Sequence, residues 1–105
     1  MMNKEIYVRV VGMYYVETDV ELFVGDTVEL RPEPKNAYDA EAIKVLKDGE
    51  KIGYVANSTN TNPAGCHSAG RLLEVIKDDY LPRAEVIVMD ENFVFCRYKQ
   101  NNEVV

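Results

Sequence analysis

Cysteine is scarce here: Cys66 and Cys96 are the only two in 105 residues. They lie far apart, in no metal-ligand spacing, whereas a secreted domain this small usually carries a denser disulfide framework. Reduced thiols and a cytoplasmic location are therefore expected. Long apolar runs are missing too. Nothing approaches the about 18 residues a membrane helix requires. Met1-Met2-Asn3-Lys4-Glu5 leads into an alternating pattern with no apolar core of an export signal. No membrane partner is expected.

The single histidine, His67, sits beside Cys66. Adjacent loop residues rarely converge on one ion, and no other Cys or His is near in sequence. A nucleophilic thiol needs a depressed pKa and an orienting partner, and neither is legible. No paired carboxylates, metal cluster or Ser/His/Asp set emerges. The reading is a non-enzyme with no catalytic residues, no metal and no cofactor.

Positive charge is also in short supply. Lys and Arg number 12 against 18 Asp and Glu, a net charge of −6. Nucleic-acid affinity rests largely on neutralising phosphates, so binding along a long stretch of backbone is disfavoured. The acid is uneven, however. From Ala42 to Leu73, Lys44, Lys47, Lys51 and Arg71 outnumber Asp48 and Glu50, giving 4 − 2 = +2. A local groove there is compatible with a short anionic ligand.

What is present is an apolar content of 47%, in the globular range. Residues 1–105 are read as a single domain with a core over about 5–99 and a frayed tail over 100–105. Ile6, Val8 and Val10 alternate with Tyr7, Arg9 and Val11, which predicts a half-buried strand continuing through Val16. Gly12 inside it suggests a bulge or a close backbone approach. A connector ending at Gly25-Asp26 precedes a strand over Thr27 to Arg31, with Val28 and Leu30 on one face. Pro32 and Pro34 force a loop. Ala42 to Lys47 and Lys51 to Ala56 form a hairpin across Asp48-Gly49. The polar stretch from Asn57 to His67 is long enough to be a functional loop, either a rim or a solvated spacer. Ser68 caps a helix running to about Asp78, with Leu72, Leu73, Val75 and Ile76 on its apolar face. Arg83 to Met89 and Asn92 to Lys99 close the pattern, and Cys96 falls among core positions. About six strands and one helix without βαβ alternation predict a mainly β fold: a partly closed antiparallel barrel with the helix packed on one side.

From Arg31 the chain reads Arg-Pro-Glu-Pro-Lys-Asn-Ala-Tyr-Asp-Ala-Glu-Ala-Ile-Lys-Val. With Val11-Gly12 before it and Gly49 and Ile52-Gly53-Tyr54-Val55 after it, this resembles the signature of the HIRAN domain. The resemblance covers about residues 5 to 90 and implies an OB-like, six-stranded barrel. It also implies a binding module for the 3′ end of single-stranded DNA, as in eukaryotic members that precede fork-remodelling ATPases, or for damaged or stalled DNA structures. On this reading the expected partners are a single-stranded DNA end and a protein partner such as a DNA-processing enzyme that the module delivers to DNA.

By resemblance, Tyr38 and Asp39 are the first candidate site residues. Chemistry supports the pair independently. A phenol ring stacks a base at about 1–3 kcal/mol. A carboxylate repels phosphate but accepts from a hydroxyl, so Asp39 suits a strand end better than an internal phosphodiester. Tyr15 falls where the family places a ring after Val-Gly, and Tyr54 where one follows Ile-Gly. Two departures stand out. Ala37 replaces a frequent proline, and Met13 and Tyr14 stand where fork-remodelling members carry an arginine beside the first tyrosine. Lys44 or Arg71 are candidates to supply that charge.

Three alternatives remain open at this point. Tyr38-Asp39 could be a purely structural turn, its ring packed on the barrel and its carboxylate capping backbone. The whole chain could be a protein-interaction module that pairs a partner strand along an open barrel edge. A small hydrolase or nuclease is the least supported.

Overall fold

Alternation along the first segment resolves as the pattern requires. Val8 and Val10 are buried and Tyr7, Arg9 and Val11 half-buried, forming β1 (Tyr7–Val11). In this computed structural model residues 5–13, 16–58, 60–91 and 93–100 are described. Five further strands follow: β2 (Thr27–Pro32), β3 (Ile43–Lys47), β4 (Glu50–Val55), β5 (Arg83–Met89) and β6 (Val94–Lys99). One helix, α1 (Ala69–Ile76), connects β4 to β5.

All six strands join antiparallel in a closed barrel of order β1-β4-β3-β2-β5-β6. The expected mainly β barrel with one helix is present, and its closure is complete rather than partial. The seam is the β1–β6 ladder, in register from Tyr7↔Arg97 to Val10↔Val94. On its other side β1 meets β4 over only Val10↔Val55 and Val11↔Tyr54. That short ladder is where the barrel wall opens outward into loops.

β1 is shorter than the alternation predicts. Gly12 adopts a φ of 77°, open to glycine at no steric cost, and turns the chain off the sheet. The close approach expected of Gly12 belongs instead to Gly53. A Cβ there would lie 2.7 Å from the Val11 carbonyl oxygen and 2.9 Å from Val10 Cγ1.

The β3–β4 hairpin turns through Asp48 and Gly49, at φ values of 52° and 81°. Positive φ at both central residues is the geometry favoured for two-residue hairpins. Within this hairpin Val45 opposes Gly53 but Leu46 opposes Lys51, so Ile52 is an extra residue on β4. Such a bulge shifts the phase of the side chains beyond it.

Ser68 caps α1 as predicted, its Oγ accepting from the Arg71 N–H at 3.3 Å. Ala69, Leu72 and Ile76 face the core, where Ile43, Val45 and Val86 are fully enclosed. The helix ends at Ile76, short of Asp78. Beyond it the Asp79 N–H still donates to the Ile76 carbonyl at 2.9 Å, and Asp79 Oδ2 accepts from the buried Tyr98 hydroxyl at 2.5 Å. The predicted long loop is built of turns rather than being structureless. Asn62 Nδ2 donates to the Cys66 carbonyl at 3.1 Å, and the His67 N–H donates to the Tyr7 carbonyl at 2.8 Å.

Candidate functional site

The β2–β3 loop is organised by Asn36. Its Oδ1 accepts from the Tyr38 N–H at 2.9 Å and the Asp39 N–H at 3.1 Å, while its Nδ2 donates to Glu33 Oε1 at 2.9 Å. This is the local bonding that makes asparagine a turn residue. Asp39 continues the pattern: Oδ1 accepts from the Glu41 N–H and Oδ2 from Asn57 Nδ2, both at 2.9 Å. The carboxylate of Asp39 therefore does brace the turn. The ring of Tyr38, in contrast, is 99% exposed and packs on nothing.

Asn57, just past β4, locks this loop to the helix. Its Nδ2 also reaches Glu41 Oε1 at 3.2 Å, and its Oδ1 accepts from the Gly70 N–H at 2.9 Å. A Cβ on Gly70 would meet the Glu41 carboxylate at 2.7 Å, so the loop presses closely on the first turn of α1, although the exposed Glu41 side chain can swing aside.

A cleft of about 600 Å³ opens between this loop, the end of β1 and the outer face of β4. Tyr38, Asp39 and Tyr54 line it together, with Asn57 and Lys51. The Tyr54 hydroxyl donates to Glu33 Oε1 at 3.0 Å and accepts from Lys51 Nζ at 3.2 Å. Asn36 and Tyr54, both bonded to Glu33, hold its carboxyl below the ordinary range, helped by the charge of Lys44. Lys44 itself sits behind Glu33, at 3.5 Å, and does not line the cleft. Arg71 is exposed at the start of α1 and is not among the cleft residues. Tyr15 lies outside the described residues, as does Tyr14.

Three features were not predicted. Lys51 reaches the cleft only because of the β4 bulge. Asn57 reads in sequence as the start of a polar loop, and its one signal is its place directly after a strand. A second cleft of about 460 Å³ adjoins the first and shares Val11, Gly12 and Thr61 with it. There the Arg9 guanidinium lies 4.9 Å from the centre of the Phe93 ring and donates to the Thr61 carbonyl at 2.6 Å. Phe93 in turn stacks on Phe95 at 5.8 Å and 10°. Outward alternation of Arg9 on β1 was the available hint.

Rings, one carboxylate and one ammonium equip this surface for stacking and hydrogen bonding. Among the described residues no group of three His, Cys, Asp or Glu side chains gathers as a metal site would require. Burial pushes the Cys66 thiol above its ordinary pKa, away from a reactive thiolate. No helix among the described residues is long and apolar enough to cross a membrane.

Comparison with solved structures gives two neighbours. One is a Lactobacillus plantarum protein, 25% identical over 90% of this chain and 93% of that chain, with a TM-score of 0.65. The other is the HIRAN domain of human HLTF, 22% identical over 90% of this chain and 74% of that chain, with a TM-score of 0.60. At that identity the second likeness concerns the fold alone. No curated protein is similar in sequence. The HIRAN domain family model matches residues 3–71, spanning the loop, the hairpin and the start of α1. The chain belongs to the HIRAN domain family.

Proposed function

We propose that this protein is a single binding module for the 3′-hydroxyl end of single-stranded DNA, seated in the cleft of Tyr38, Asp39 and Tyr54. The observation that carries this reading is the state of Tyr38. Its backbone is pinned by Asn36, yet its ring is 99% exposed. A solvated ring on a fixed backbone contributes nothing to the core and is open to stack on an incoming base. Asp39 beside it retains acceptor capacity for a terminal hydroxyl and repels phosphate. Membership of the HIRAN family supports a DNA-binding role. Acting alone or delivering a DNA-processing enzyme to such ends are both compatible with a module of this kind.

The alternative of a protein partner added along an open edge loses its footing. Every strand of the closed barrel is paired on both sides. Partner binding through another surface would have to use side chains rather than an edge.

Fluorescence anisotropy with a short labelled strand tests the proposal. A free 3′-hydroxyl should bind more tightly than the same strand ending in a 3′-phosphate. Tyr38→Ala should weaken binding roughly 5- to 150-fold, the equivalent of about 1–3 kcal/mol of stacking, with no change in stability. Equal affinity for blocked and free ends, or an unaffected Tyr38→Ala variant, would refute it.

A further inference from the structure

We infer that Lys51 is the phosphate-binding residue of the cleft, taking the one phosphodiester that precedes the terminal nucleoside. The inference rests on the proposed end-binding function and assigns the charge that function needs.

Among the described residues Lys51 is the only cation lining the cleft, and Asp39 the only carboxylate. Strict alternation would put Lys51 and Tyr54 on opposite faces of β4. The extra residue Ile52 restores them to one face, and Lys51 Nζ lies 5.0 Å from the Tyr54 ring centre.

Its bonding differs from that of its neighbours. Lys44 is committed to Glu33 at 3.5 Å and Lys47 to Asp26 at 2.6 Å. Lys51 forms no ion pair among the described residues and rests on a ring and a phenol oxygen. An exposed cation–π contact is worth only about 0.5–1 kcal/mol, so exchanging it for a phosphate oxygen costs little. Nor is Glu33 a competitor, because Lys44 and two hydrogen bonds already satisfy it.

The two charges also orient the strand. Asp39 repels phosphate and accepts from hydroxyl, whereas Lys51 attracts phosphate, so the terminus points to Asp39 and the chain leaves past Lys51. One cation accounts for one phosphate. The adjoining cleft carries Asp90 and Glu91 with Arg9, an acidic balance that discourages a second.

Salt dependence of the anisotropy titration tests this. For single strands each neutralised phosphate contributes a slope of about −0.7 in log K against log salt. Wild type should show about that slope, Lys51→Gln should flatten it towards zero, and Lys51→Arg should keep it. Lys44→Gln and Arg71→Gln should leave it unchanged. In competition, a 5′-phosphorylated mononucleoside should outcompete the bare nucleoside, and Lys51→Gln should erase the difference. An unchanged slope in Lys51→Gln, or a slope lost in Lys44→Gln or Arg71→Gln, overturns the assignment and leaves end binding intact. Failure of wild type to bind any strand overturns both.

Discussion

Asn57 shows how much of the site depends on single side chains. It bonds Asp39, Glu41 and the Gly70 N–H, and so joins loop to helix. Asn57→Ala should lower stability by about 1–3 kcal/mol, the cost of leaving such partners unmet. It should also weaken DNA binding, whereas Tyr38→Ala weakens binding with no loss of stability. Urea midpoints and anisotropy together check both effects. Titratable residues give a second expectation. Asp26 is held below its ordinary pKa, chiefly by the Lys47 hydrogen bond, and Glu33 chiefly by Asn36. Their folded pKa values are depressed, so the stability they supply is present above the unfolded carboxylate pKa. It is lost as pH falls through the folded values. At the other extreme, burial pushes Cys96 up to about 12, and burial with Asp79 raises Tyr98 further. Raised pKa values give stability that is full below the unfolded pKa and lost as pH rises through the folded ones. Urea midpoints should therefore fall on both sides of neutrality, and Cys96→Ala should soften the alkaline fall. At this scale Tyr38 and Asp39 were legible through the family resemblance, because the motif that carries it is one contiguous stretch of sequence. Lys51 was hidden, because its direction depends on a bulge set by a partner strand.

Elements were legible wherever local chemistry decides them. Asp48-Gly49 announced its hairpin, Ser68 its cap, and Val28 with Leu30 its buried face. Their boundaries were less so: β1 ends at Val11, before the positive-φ Gly12, and α1 ends at Ile76, short of Asp78. Gly53 is the most demanding position among the strands, since its neighbour is backbone and cannot rotate away. Gly53→Ala should therefore destabilise the barrel by about 1–3 kcal/mol, the usual cost of overpacking. Ser68→Ala should cost about 1 kcal/mol by removing the helix cap. Chemical denaturation of both variants checks the order: if Gly53→Ala is neutral, β1 and β4 are not held as closely as the structure has them.

For the whole molecule, the barrel was foreseeable from six short strands without βαβ alternation, whereas closure was not. Closure depends on β6 finding β1 across nearly the full sequence, in a register no local pattern specifies. It matters to function by pairing every edge and leaving side-chain surfaces as the means of recognition. Net charge of −6 sets the global character: it disfavours extended nucleic acid, so the proposed ligand is a short end at one locally favourable cleft. Affinity should accordingly stay nearly constant as the strand is lengthened beyond its terminal few nucleotides, which anisotropy with a length series checks.

The location of the bound end is the central claim, and amide chemical-shift mapping with a short 3′-hydroxyl strand tests it most directly. Shifts should concentrate at residues 36–41, at Val11 and Gly12, and from Gly53 to Asn57, the segments that wall the cleft. Shifts gathered instead on the outer face of β2 and β5, or absent at saturating strand, would contradict the account.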